Sequence, residues 1–158
     1  MCAAPPFPTV GSLHVRSLEG LTMAPTPVQQ GQTLLDAFNA RDLSLWQRQL
    51  ADTYTASYPG LRDCRNAETA RAFNAPFLPA FSDLSFQVHR AVADGDCVIY
   101  TWTARGTHDG PLVTASGTLP PSGRIGAIDG VLITTLRDGR IVREETYWNV
   151  LDLIAQIS

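Results

Sequence analysis

Two hydrophobic periods divide this chain. In the first half apolar residues recur mainly at helical spacing, and from Leu84 onward they alternate in twos. Thr26-Pro27 followed by VQQGQTLLDAFNARD predicts a first helix, with Val28, Leu34, Leu35 and Phe38 near one face and Pro27 in the first turn. Gly31 is a cost to that helix, about 1 kcal/mol relative to Ala. LSLWQRQL predicts a short amphipathic helix with Leu43, Trp46 and Leu50 on one side. Thr53 to Tyr58 predicts a strand, stopped by Pro59-Gly60. A loop through Leu61 and Arg65 leads to Asn66, a good helix cap, with Glu68 in the first turn where negative charge is favoured. Ala70, Phe73 and Phe77 mark the buried stripe of this third helix, and Pro76 and Pro79 predict a kink or an early end.

In the second half Leu84, Phe86, Val88, Arg90 and Val92 alternate with Ser85, Gln87, His89 and Ala91, which predicts a strand. Asp94-Gly95 turns it into DCVIYTWTARGTHDG, Asp96 to Gly110, a β-branched and aromatic run around which the rest is expected to pack. PLVTASGTLPPSG reads as loop or ragged edge, since Pro120-Pro121 cannot sit inside a sheet. Ile125 to Leu136 is the next long strand, and Asp138-Gly139 turns it into Arg140 to Trp148. NVLDLIAQI is a short helix or a strand extension. Helices first and hairpin-linked strands second predict an α+β domain, an antiparallel sheet with helices on one face. A strongly curved sheet so capped encloses a cavity, where small molecules bind.

Composition narrows the chemistry. At 158 residues the chain is the size of one domain, expected over residues 26–158. Residues 1–25, Pro-rich, are expected to form a disordered extension that includes His14, and Met23 is a candidate start of the folded part. The net charge of −3 favours neither nucleic acid nor an anionic membrane as partner. All 12 basic residues are Arg, so Schiff-base and phosphate-loop lysines are excluded. Cys2, Cys64 and Cys97 form no CxxC pair, which points to reduced thiols in a cytoplasmic protein rather than a zinc cage or disulfide framework. No apolar run reaches the ~18 residues that cross a bilayer.

Taken together, AFNARDLSLWQRQLADTYTASYPG, the string Trp102-Thr103-Ala104-Arg105-Gly106-Thr107-His108-Asp109-Gly110, and the spacing of Ser122-Gly123 to Asp138-Gly139-Arg140-Ile141-Val142 resemble SnoaL-like polyketide cyclases of the nuclear-transport-factor-2-like superfamily. The resemblance runs from about Val28 to Ile157 and implies a cone-shaped α+β barrel, its pocket lidded by the N-terminal helices, often in a homodimer. The named cyclases close a ring by intramolecular aldol condensation with an Asp as acid/base and a His nearby, without metal or organic cofactor. Other members isomerise, dehydrate or hydrolyse epoxides, so the fold alone does not fix the reaction.

Two residues are expected to carry chemistry. His108 matches the His of the Gly-Thr-His string, and imidazole relays protons at neutral pH. Asp129 lies within an apolar strand; facing the cavity it would be a desolvated base, facing out a charge that protects the strand from aggregation. On the last strand alternation puts Glu145, Tyr147 and Asn149 on one face and Glu144, Thr146 and Trp148 on the other. Tyr147 is a candidate oxyanion donor, and Glu145 and Asn149 are candidate ligand contacts. The resemblance implies Asp where Asn149 stands, and an amide orients but cannot act as a base. Trp46, Tyr58, Tyr100 and Trp102 are candidates to line the cavity, with ordinary core packing as the alternative. The expected activity is acid–base chemistry on a small, largely apolar carbonyl compound; the alternative is a non-catalytic ligand-binding or accessory protein.

Overall fold

The computed structural model describes residues 23–158, so the expectation for the extension, with His14 and Cys2, lies almost wholly outside the described residues. Helix α1 (Pro27–Asn39) starts at a capping box, in which Thr26 and Gln29 bond each other's backbone N–H. Asp42 caps α2 (Leu43–Gln47) through Ser44 and Leu45. Strand β1 (Leu50–Tyr58) pairs with β2 (Leu61–Cys64), a strand where the sequence predicts loop. Gly60, with φ of 81°, makes that turn. Asn66 caps α3 (Ala67–Asn74) as expected. Pro76 ends the run, and a one-turn α4 (Phe77–Ala80) follows.

Four long strands complete the sheet: β3 (Ser85–Asp94) and β4 (Cys97–Thr107), then, after the small hairpin of β5 (Leu112–Thr114) and β6 (Gly117–Leu119), β7 (Ile125–Arg137) and β8 (Arg140–Trp148). That small hairpin occupies the segment expected as loop or ragged edge. The chain ends in α5 (Val150–Ile157), the helical alternative of the two open for this segment.

The six-stranded sheet runs β2-β1-β8-β7-β4-β3 and stays open. It is curved and mostly antiparallel; β1 beside β8 is the parallel exception. A hairpin cannot make a parallel pair. It arises because β1 enters from the helical half and docks on the last strand. Strands β4 and β7 pair over their full lengths, from Cys97 opposite Thr135 to Thr107 opposite Ile125.

Two bulges reset which side chains face the helices. One, at His89, lies between the pairs Val88–Trp102 and Arg90–Thr101. Phe86 and Val88 therefore face inward, while His89, Arg90 and Val92 are exposed, although plain alternation joins Val92 to the apolar set. The other lies at Val142, so Ile141 and Glu144 are both buried three residues apart.

Helix α1 covers the concave face with Leu34, Leu35, Ala37 and Phe38. Gly31 has a reason to be glycine that helix propensity does not contain. The Tyr100 hydroxyl donates to the Val28 carbonyl at 2.7 Å, and a Cβ on Gly31 would lie 2.3 Å from that oxygen. Gly31→Ala is therefore expected to destabilise the protein by about 1–3 kcal/mol through overpacking. Helix propensity alone gives the opposite sign, a gain of about 1 kcal/mol; urea unfolding of the variant decides between them.

Candidate functional site

The concave face, α1, α3 and α4 enclose a hollow of about 80 Å³. Its wall is mainly apolar and aromatic, including Phe38, Phe77, Phe86, Trp102 and Trp148, with a polar end formed by Tyr58, Asn74, Glu144 and Thr146. Among the described residues Glu144 is the sole carboxyl on this wall. Strand β8 turns it inward beyond the Val142 bulge, and it is only 5% exposed.

Two other elements, β1 and α2, converge on this carboxyl. Tyr54 of β1 donates its hydroxyl to Oε2 at 2.6 Å, and Trp46 of α2 donates Nε1–H to the same oxygen at 3.3 Å. The Tyr58 hydroxyl lies 2.9 Å from that of Tyr54, which extends the network to the wall of the hollow. Oε1 receives only a long bond from the Thr146 hydroxyl, 3.4 Å, and is the oxygen with capacity left for a ligand. Burial pushes the Glu144 carboxyl above the usual glutamate range, against the hydrogen bonds from Tyr54, Trp46 and Thr146 that favour the ionised form. Burial, reinforced by the nearby Glu144 charge, also pushes Tyr54 and Tyr58 well above the usual phenol range, so both remain protonated.

Trp102 adds a second polar feature. Its Nε1–H is buried and has no partner, and an unsatisfied buried donor is costly enough to need an explanation. Its ring lies against Gly130, where a Cβ would come within 2.2 Å of it. Trp102, Gly130 and Trp148 share one row across the sheet, four residues from the row of Glu144 and Thr134. That offset is roughly 13 Å along the strands.

The expected pair of His108 and Asp129 is not brought together. His108 is fully buried but does not line the hollow. Its ring leans on Phe81, centroids 5.4 Å apart, and Nδ1 lies 3.2 Å from the Ser122 hydroxyl. Its carbonyl accepts from Ser122 and Gly123, and its N–H donates to Arg124, so the residue ties down the segment leading into β7. Asp129 projects from the convex face into solvent. There its Oδ1 accepts from Thr103, 2.5 Å, whose hydroxyl oxygen is 2.7 Å from Nε2 of His89. The inward positions on β7 are Gly126, Ile128, Leu132 and Leu136, and Asp129 falls on the opposite parity.

The β8 alternation is as expected, but the face carrying Glu145, Tyr147 and Asn149 is not the one lining the hollow. Glu145 pairs with Arg143 at 2.9 Å, which holds its carboxyl below the usual range, and Tyr147 is half exposed. The Asn149 side chain accepts from Asp152 N–H and caps α5, a structural use of that amide. Of the four aromatics, Tyr58 and Trp102 line the hollow. Trp46 stands behind Glu144, and Tyr100 is spent on the carbonyls of α1.

Sequence reasoning missed Glu144. The available signal was Trp148, a large aromatic on the Glu144 face of β8, which marks the side that packs. Among the described residues no group of three or more His, Cys, Asp or Glu side chains is gathered as a metal cage. No described helix is long and apolar enough to cross a membrane.

The model of the SnoaL-like domain matches residues 32–144. A candidate SnoaL-like polyketide cyclase from Jannaschia sp. CCS1 superposes with a TM-score of 0.73 at 24% identity, over 84% of this chain and 91% of that one. IdmH, a candidate polyketide cyclase from Streptomyces antibioticus, gives 0.68 at 26%, over 84% and 98%. An NTF2-like protein from Burkholderia thailandensis E264 gives 0.65 at 19%, over 84% and 96%. The curated proteins contain no match to the chain.

The Glu144 environment makes stability depend on pH with a definite sign. A carboxyl raised in the folded state binds its proton more tightly there than in the unfolded chain. Its contribution is full below the ordinary glutamate pKa of about 4.3 and is lost as pH rises through the folded value. Glu144→Gln cannot ionise and keeps an acceptor for Tyr54. Its melting temperature relative to wild type is expected to rise as the pH is taken above the ordinary glutamate range, read by thermal scans of both proteins.

Proposed function

The chain belongs to the SnoaL-like domain family, and from that premise we propose that this small-molecule pocket protein is a cofactor-independent acid–base enzyme acting on a small, largely apolar carbonyl compound. The observation that carries the reading is Glu144, one desolvated carboxyl on a mainly apolar wall, with one oxygen held by Tyr54 and Trp46 and the other bonded only at long range by Thr146. Desolvation brings a carboxyl toward the working pH of a general base. Oε1 takes a proton from the carbon beside the ligand carbonyl, and the C–H electron pair becomes the enolate. The enolate carbon then attacks a second carbonyl of the same molecule, and the new alkoxide takes the proton back from Glu144. Returning the proton to another carbon instead gives an isomerisation. Neither route gains or loses an atom. The unpartnered Nε1–H of Trp102 is suited to hold a remote ligand oxygen. His108 and Asp129 have no part in this scheme.

The competing reading, a binding or accessory protein, is favoured by the absence of a second acid on the cavity wall among the described residues. Hydrogen exchange separates the two. In D2O wild type is expected to accelerate exchange beside the carbonyl of 1-tetralone, followed by NMR. Glu144→Gln should lower that acceleration by about 10²-fold or more, and Asp129→Asn should leave it unchanged. Tight binding of tetralone without accelerated exchange supports the accessory role.

We also infer a homodimer through the convex face. Val92 and Ile99 pair side by side there, and both are exposed, as is Tyr147 beside Val131; such a patch favours a partner. Light scattering should report a dimer for wild type and a monomer for the double variant Val92→Asp, Ile99→Asp. The free thiols Cys64 and Cys97 suit the cytoplasm as its compartment.

A further inference from the structure

The hollow beside Glu144 does not end at its own wall. A second space of about 490 Å³ lies outside it, bounded by the β1–β2 turn, α3 and α4, the β5–β6 hairpin and α5. Phe73, Phe77, Trp148 and Leu153 line both spaces. The partition between them is therefore one side chain thick. Its aromatic members form a continuous row with Tyr58. Tyr58 stacks on Phe73 at 4.8 Å, Phe73 meets Phe77 edge-on at 6.1 Å, and Phe77 meets Trp148 edge-on at 6.0 Å. Apart from the stacked first pair, these are edge contacts between rings.

Size gives the partition a meaning. Small-molecule pockets occupy about 300–1,000 Å³, and the inner hollow, at about 80 Å³, is far below that range. Taken together with the outer groove it falls inside it. The chemistry is also graded along the joined path. The carboxyl lies at the inner end on Glu144, beside Tyr58 and Asn74, whereas the outer groove carries no charged group among the described residues and sets Leu61, Val113, Val150 and Ile154 among the hydroxyls of Thr114 and Ser116. Val113 is 58% exposed and Val150 37% exposed, apolar side chains held open to water at the mouth.

We propose that the substrate is an elongated amphipathic carbonyl compound, its oxygenated head beside Glu144 and its apolar tail passing between Phe77 and Trp148 into the outer groove. Phe77 and Trp148 then select ligands by length. This assignment rests on the pocket reading given above and adds the substrate class to it. The row of rings shields Glu144 from water when no tail is present and stacks along the tail when one is.

The test is a series of methyl ketones, 2-hexanone, 2-octanone, 2-decanone and 2-dodecanone, titrated calorimetrically into the full chain. Burial of each added methylene should tighten binding about fourfold, continuing to 2-dodecanone. Val113→Asp and Val150→Asp, both at exposed positions, should flatten that dependence. The long ketones should also change tryptophan emission, and Trp148→Phe should remove this change. A wild-type affinity that stops rising at 2-hexanone overturns the outer subsite and leaves the inner pocket reading standing. An unaltered slope in both Asp variants also overturns it. No binding by any ketone, together with no exchange of tetralone, overturns both.

Discussion

A carboxyl that must be taken out of water fixes much of this molecule. Glu144 belongs to the penultimate element of the chain, yet its donors Trp46 and Tyr54 come from the first half. Satisfying a buried carboxyl is obligatory, because an unpartnered one costs several kcal/mol. The bonds to Oε2 therefore specify the position of α2 and the register of β1 against β8. They also settle the parallel pairing in which Thr55 to Ser57 face Arg143 to Glu145. The site and the closure of the sheet are one piece of physics.

The same strands serve two surfaces. On β4, Val98, Tyr100, Trp102 and Ala104 go inward, and Ile99, Thr101 and Thr103 go outward. On β7, Leu132 faces the core while Val131 and Ile133 stay partly exposed on the convex side. A sheet apolar on both faces has no intrinsic inside until the helices choose one. Here α1 chooses, through Leu34, Leu35 and Phe38 packed on the concave face and through the Tyr100 hydroxyl seated against Gly31.

Much of the architecture was legible in the sequence, because its signals are local. Asp138-Gly139 sits at positive φ in both residues and joins β7 to β8 by a two-residue turn. Asn66 caps α3, and the proline at 76 ends the third helical segment. The site was much less legible. The direction of Asp129 stays open in the sequence because Ile128, Val131, Leu132 and Ile133 surround it, and apolar residues on both parities erase the usual cue. The bulges at His89 and Val142 shift parity without any glycine or proline to announce them. His108 was picked out by its motif and is indeed buried, but as a brace between Phe81 and the segment before β7.

The parallel contact between β1 and β8 has a consequence for how the chain is made. Tyr54 and Glu144 are 90 residues apart, so on the ribosome β1 is synthesised long before the neighbour that completes its hydrogen-bond ladder. Until the final quarter emerges, only β2 covers one side of it, and the other side is an open strand edge carrying Tyr54. Such an edge recruits other chains as readily as its own. The nascent polypeptide therefore passes through an interval of vulnerability to misassembly that ends only with synthesis of the last strand.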